Sequence, residues 1–132
     1  MDKIKLMNKA YDMTKKAYSP INHFLVGAVL VTKDNKLFTG CNIDNMGIQS
    51  ICAERCAFAK AISEGYNKKD DFKCIFVAGR PDSEEALVKT LPCGYCRQFM
   101  SEFVNSNFKI YYYDNGIHVL TIKDLLPYSF KL

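Results

Sequence analysis

The sequence predicts a single α/β domain over residues 1–132. It is built on a five-stranded mixed sheet with helices on both faces, in the order α-β-β-α-β-α-β-β-α. Three observations carry that prediction. Apolar residues recur at three- and four-residue steps in the segments 3–18, 52–64 and 93–104. Short apolar runs, at 24–32, 37–43, 74–78, 110–113 and 117–121, read as strands. The two kinds of segment are interspersed, which favours one sheet covered on both sides.

The elements follow in order. In segment 3–18, Ile4, Met7 and Tyr11 and the set Leu6, Ala10, Met13 and Ala17 fall at helical spacing, and Ser19-Pro20 ends the helix. Phe24 to Thr32 is a near-continuous, Val-rich run, hence a buried strand; Lys33-Asp-Asn-Lys36 turns the chain into a second strand. Ala53, Cys56, Ala57, Ala61 and Ile62 form the next helical stripe, which Gly65 stops. A short buried strand, 74–78, precedes a helix from Cys93 to about Val104. Asp114-Asn-Gly116 joins two strands as a hairpin turn. A short helix through Leu125 and Leu126 ends at Pro127.

Composition narrows the function classes. Hydrophobic residues make up 48% and charged residues 24% of the chain, an ordinary globular balance that excludes general disorder. The net charge is +4, but the lysines are scattered and form no basic stripe interleaved with aromatics, so no nucleic-acid partner is expected. The opening Met1-Asp-Lys-Ile-Lys is too charged for a secretory apolar region, and no apolar run approaches membrane-spanning length. A cytoplasmic, reducing location and no membrane partner are expected. Six cysteines in such a setting read as thiols or metal ligands rather than a disulfide framework. Cys41 and Cys74 lie in strand patterns and read as small core residues.

Two stretches carry chemistry. In Leu91-Pro-Cys-Gly-Tyr-Cys-Arg-Gln98, Cys93 and Cys96 sit three apart at a helix start, on one face. The helix N-terminus favours thiolates there. By itself this pair reads as a redox dithiol, half of a zinc site, or chance. In Ser50-Ile-Cys-Ala-Glu-Arg-Cys-Ala-Phe58, Cys52 stands at a second helix start, two residues before Glu54 in an apolar setting. Three thiols on two helix N-termini suit one tetrahedral Zn²⁺, and no further Cys or His lies in reach except Cys56, which reads as core. Three ligands and an open fourth position mark a catalytic rather than a structural site. A carboxylate in an apolar run is costly without a task. Beside such a metal, Glu54 has one: moving protons to and from an attacking water. Arg55 fits as a donor to the thiolate sulfurs, with a surface ion pair as its bland alternative.

Cys52-Ala-Glu54 with Pro92-Cys-Gly-Tyr-Cys96 resembles the (H/C)-x-E…P-C-x-x-C signature of zinc nucleobase deaminases. The three-cysteine form followed by Arg97-Gln98 is similar to the small homotetrameric cytidine deaminases. The resemblance runs nearly end to end, through Tyr18-Ser-Pro20, Phe24-x-Val-Gly-Ala28, Gly40-Cys-Asn-Ile43, Ala61-Ile-Ser-Glu-Gly65 and Leu125-Leu-Pro127. It implies hydrolytic deamination of cytidine and 2′-deoxycytidine in pyrimidine salvage. One Zn²⁺ per subunit would be held by Cys52, Cys93 and Cys96, with Glu54 as the proton shuttle. It further implies Phe24 against the pyrimidine, Asn42 on the ribose, and backbone groups at Ala53 and before Pro92 on the base edge. Phe130 would close over a neighbouring subunit's site in a homotetramer.

Three departures from the family pattern fall at the sugar end. Asp44 stands where a sugar-binding glutamate is usual; the loop from Asp44 to Cys52 is about one residue short and lacks its aromatic; and segment 79–91 is longer, with Leu91 in place of serine before Pro92. They keep open a second substrate, a modified cytosine nucleoside such as blasticidin S. A polynucleotide-editing deaminase and a redox or zinc-stabilised module are the other classes. The second of these leaves Cys52 and Glu54 without a role.

Overall fold

The computed structural model describes residues 1–132. Its elements are α1 (Lys3–Thr14), β1 (Phe24–Thr32), β2 (Leu37–Cys41), α2 (Ala53–Ser63), a 3₁₀ turn (Lys69–Asp71), β3 (Phe72–Pro81), α3 (Gly94–Phe103), β4 (Lys109–Tyr113), β5 (Ile117–Thr121) and α4 (Ile122–Leu125). The strands form one sheet in the order β2-β1-β3-β4-β5. β3 and β4 pair in parallel and every other pair is antiparallel, so the sheet is mixed, as the sequence predicts.

The period-2 alternation of the strands divides the core between two faces. On one face Ala28, Leu30, Ile75, Val77 and Ile110 meet Ala57 and Phe58 of α2, Met100 of α3 and Ile122 of α4. On the other, Val29, Val31, Phe76, Ala78 and Tyr111 meet Leu6, Met7 and Ala10 of α1. Tyr111 stacks on Phe76 with ring centroids 4.5 Å apart, which gives this tyrosine of the 111–113 run a packing role.

Helix α1 is shorter than its apolar periodicity suggests. Asp2 caps its start by accepting from the Lys5 N–H at 3.0 Å. After Thr14 the amides of Lys15, Lys16 and Ala17 bond to carbonyls only three residues back, the tightening typical of a helix end. Tyr18 then pairs with the chain beyond β2: its N–H donates to the Asn42 carbonyl and its carbonyl accepts from the Asp44 N–H. Ile4 faces solvent rather than the core.

Strand β3 is longer than the run 74–78. It is paired along the whole of β1, from Phe24 opposite Pro81 to Thr32 opposite Phe72, so flanking residues join the ladder despite their polarity. Arg80 is buried there because its Nε donates to Thr14 Oγ1 at 2.9 Å and its Nη1 to the Glu84 carbonyl at 2.7 Å. α4 begins at Ile122, capped by reciprocal Thr121–Asp124 hydrogen bonds, a little before its expected position.

Candidate active site

Helices α2 and α3 start at the same place. Cys52 is the N-cap of α2 and Cys93 the N-cap of α3, and neither side chain caps its own helix. Both thiols are thereby free for another partner, at the positive end of a helix dipole. Cys96 follows in the first turn of α3, fully buried. The three sulfurs lie within 4.8 Å of one another, and Cys52 and Cys93 Sγ are 3.8 Å apart. Tetrahedral Zn²⁺ with Zn–S bonds of about 2.3 Å places its sulfurs roughly 3.8 Å apart, the separation of Cys52 and Cys93, so the trio suits that ion. All six cysteines are unpaired.

The electrostatics suit a thiolate centre. Interaction with the Cys96 thiol, reinforced by Arg55 and the Cys93 thiol, overrides burial and brings Cys52 down to about 5. The same pairing with Cys52, together with burial, pushes Cys96 far up. Arg55 Nη2 lies 3.9 Å from Cys52 Sγ and 3.4 Å from the Ser50 carbonyl. It forms none of the chain's three ion pairs, so the bland alternative of a surface pair does not hold.

Glu54 sits in the first turn of α2, 3% exposed, and it too is in none of the ion pairs. Burial pushes its carboxyl up to about 7, with the nearby Cys52 sulfur adding to the effect. Glu54, Cys52 and Cys93 line one cleft of about 280 Å³. A carboxyl that exchanges its proton near neutral pH, beside three thiols placed to bind a metal, can carry protons for a hydrolytic reaction.

The cleft also gathers most of the other residues singled out from the sequence: Phe24, Asn42, Asp44, Ala53 and Leu91. Phe24 is the half-buried first residue of β1. Asn42 is already engaged, since its Oδ1 accepts from the Val26 N–H at 2.8 Å and its Nδ2 donates to the Phe24 carbonyl at 2.9 Å. Asp44 is buried and equally occupied: it accepts from the Asn22 N–H at 2.9 Å and from the Ser19 and Ser50 hydroxyls at 3.4 Å. The shorter carboxylate thus ties both ends of its loop to the segment before β1.

Phe130 does not line this cleft and is 67% exposed. Its backbone is held in a two-way clamp, Gln98 Nε2 to the Phe130 carbonyl at 3.0 Å and Phe130 N–H to Gln98 Oε1 at 3.1 Å. Arg97 fixes the approach to Cys93 by donating to the Pro92 carbonyl at 2.7 Å and to the Leu125 carbonyl at 3.0 Å. Sequence reading assigned no role to Arg97 or Gln98; their position directly after Cys96 was the available signal. Thr90 also lines the cleft and was missed.

The remaining expectations divide. His23 is exposed, with Nδ1 2.9 Å from an Asp82 carboxylate oxygen, and His118 Nε2 lies 2.9 Å from the Asp114 carbonyl; neither lines the cleft. Cys74 is core, whereas Cys41 and Cys56 are only partly buried, because both lie near the rim where α2 meets β2.

Residues 1–112 match the family described as the cytidine and deoxycytidylate deaminase zinc-binding region. The chain is 37% identical over 134 residues to a cytidine deaminase of Sporosarcina psychrophila, covering 99% of this chain and 93% of that one. It is likewise 37% identical to a cytidine deaminase of Halalkalibacterium halodurans, covering 98% and 95%. The crystal structure of cytidine deaminase from Burkholderia pseudomallei matches with a TM-score of 0.87 at 35% identity, over 98% of this chain and 100% of that one. The enzyme from Mycobacterium tuberculosis matches at 0.79 and 28% identity, over 100% and 99%. A family match across most of the chain, and relatives more than a third identical along nearly all of it, establish that this protein belongs to the zinc-binding cytidine and deoxycytidylate deaminases, a family of hydrolases.

Proposed function

We propose that this chain deaminates free cytidine and 2′-deoxycytidine to uridine and 2′-deoxyuridine, releasing ammonia, and serves pyrimidine salvage. Cys52, Cys93 and Cys96 hold one Zn²⁺ per subunit. The observation that carries the reading is the buried Glu54 carboxyl, in no ion pair, lining the same cleft as Cys52 and Cys93.

The metal supplies Lewis acidity, which makes a water molecule nucleophilic near neutral pH. Glu54 accepts a proton from the attacking water and delivers it to ring N3. It then takes the remaining water proton to the C4 amine, and the C4–N bond breaks to give the carbonyl and ammonia. Phe24 supplies an apolar wall for the pyrimidine, while backbone groups at Ala53 and Leu91 read its edge. Asn42 and Asp44 face the sugar with whatever hydrogen-bonding capacity their internal partners leave; each amide or carboxylate oxygen retains further lone-pair capacity.

A free nucleoside is favoured over a nucleotide by the charges of the cleft. Its acidic side chains are Asp44 and Glu54; its one cationic side chain, Arg55, is directed to Cys52 and Ser50. No lysine lines it to receive a phosphate. Relatives named as cytidine deaminases do not favour the blasticidin-type alternative.

The residues act as one domain in a cytoplasmic homotetramer, without nucleic acid. Phe130, exposed but clamped by Gln98, is suited to cover a neighbouring subunit's cleft. No helix is long and apolar enough to cross a membrane.

The test is product formation by zinc-loaded protein offered cytidine, deoxycytidine, deoxycytidylate, blasticidin S and single-stranded DNA in parallel. Glu54→Gln is the control, expected to lose at least about 10²-fold in rate. Rapid, Glu54-dependent turnover of the two nucleosides is the expected result. Turnover unaffected in Glu54→Gln, or faster consumption of another compound, overturns the reading. Sedimentation of the native protein as a monomer removes the tetramer.

A further inference from the structure

The guanidinium of Arg55 is held by more than the sulfur it faces. Its Nε is buried without a hydrogen-bond partner, and its contacts to Cys52 Sγ and the Ser50 carbonyl are long, at 3.9 Å and 3.4 Å. Hydrogen bonds this long fix a flexible side chain weakly. On its other side the guanidinium carbon lies 4.3 Å from the centroid of the Tyr95 ring. That separation is well inside the range of a cation–π contact, and Arg, being planar, is suited to stacking on an aromatic face.

Tyr95 stands between Cys93 and Cys96 in the first turn of α3, whereas Arg55 follows Cys52 in the first turn of α2. The contact therefore crosses from one ligand-bearing helix to the other. Tyr95 is 67% exposed, so it contributes little to the core.

We propose that Tyr95 is a positioning residue for the metal centre: its ring holds the Arg55 guanidinium against the Cys52 sulfur and so latches the ligand pair of α3 to the single ligand of α2. The inference rests on the reading of the cysteine trio as the zinc site. The hydroxyl takes no part; the ring face is what matters. Groups outside the ligand set that orient and hydrogen-bond the ligands govern metal retention, and their loss costs about 10- to 100-fold in affinity. Tyr95 acts one step further out, through Arg55, so a smaller effect is expected.

The experiment uses zinc-loaded wild type, Tyr95→Phe, Tyr95→Ala, Arg55→Gln and the Arg55→Gln/Tyr95→Ala double variant. Zinc release to a chromogenic chelator is followed in time, with thermal melting as the check on folding. Tyr95→Ala is expected to release zinc about 3- to 10-fold faster at an unchanged melting profile, the scale of a cation–π contact. Tyr95→Phe is expected to match wild type, and Tyr95→Ala to add nothing in the Arg55→Gln background. Wild-type release from Tyr95→Ala, release from Tyr95→Phe as fast as from Tyr95→Ala, or an undiminished Tyr95→Ala effect without Arg55 each overturns the proposal. A wild type that takes up no stoichiometric zinc overturns the metal reading itself, and the proposal with it.

Discussion

Gly40 on β2 lies so close to Ala53 on α2 that a Cβ at position 40 would come within 2.3 Å of the Ala53 carbonyl oxygen and 2.7 Å of the Ala57 N–H nitrogen. Ala53 stands between Cys52 and Glu54, so the seat of α2 on the sheet also places the proposed metal ligand and proton shuttle. Gly40→Ala therefore tests the link between sheet packing and site. Backbone rather than a flexible side chain must yield, and overpacking typically costs about 1–3 kcal/mol. The expected result is that loss of stability in a denaturant titration, with a lower zinc content at fixed free metal. An unchanged zinc content at reduced stability shows that α2 moves without its first turn.

Zinc removal has a thiol signature. Chelation is expected to expose the thiols of Cys52 and Cys93 to a disulfide reagent, while buried Cys96 reacts only slowly, and to abolish activity, which returns with added Zn²⁺. Cys74 stays silent throughout, because burial both shields it and pushes its thiol up to about 11. A raised thiol pKa means that the folded chain keeps the proton through pH 7–9, and reactivity at Cys74 rises only as pH approaches that value or the fold opens. Thiol counting at pH 8, before and after chelation and in denaturant, gives all three numbers.

Asp44 ties its loop to the segment before β1 and is proposed to face the sugar, and Asp44→Ala separates the two. The substitution strips the Asn22 N–H of its 2.9 Å acceptor and frees the Ser19 and Ser50 hydroxyls. Leaving such a donor unsatisfied costs about 1–3 kcal/mol. The expected outcome is that loss of stability, a raised KM for nucleosides, and a full complement of zinc. Steady-state kinetics alongside metal analysis check it; loss of zinc instead means that the 44–51 loop also supports Cys52.

Arg80 organises the extended 81–91 segment. Its two hydrogen bonds tie α1 to the turn at Glu84, and the same segment is joined to β3 by the Gly79–Val88 bridge and to His23 through Asp82. Arg80→Leu keeps the apolar stem but leaves the Thr14 hydroxyl and the Glu84 carbonyl without their cation. The expected cost is about 1–3 kcal/mol. Limited proteolysis is expected to cleave within 82–90 faster than in wild type, with zinc retained. Equal cleavage rates assign the order of this segment to the Val88 bridge and the His23–Asp82 contacts.

The sequence by itself determined the strand and helix order, because period-2 and three-to-four-residue apolar spacing report directly which faces are buried. It also determined the chemistry of the metal end. Cys52 and Glu54 share one helix start and Cys93 and Cys96 another, so spacing places each pair locally, whereas the meeting of the two helix starts is a product of the fold. Only the tertiary structure decided how the rest is used. The family resemblance alone puts Asn42 and Asp44 at the sugar, and their partners Asn22, Ser19, Val26 and Phe24 come from a segment about twenty residues away, met only when β1 and β2 pair. The same holds for the Gln98 clamp on Phe130 and for the Tyr95 ring on Arg55. Each contact joins residues distant in the chain, and no local spacing encodes a distance that depends on how two helices seat on one sheet.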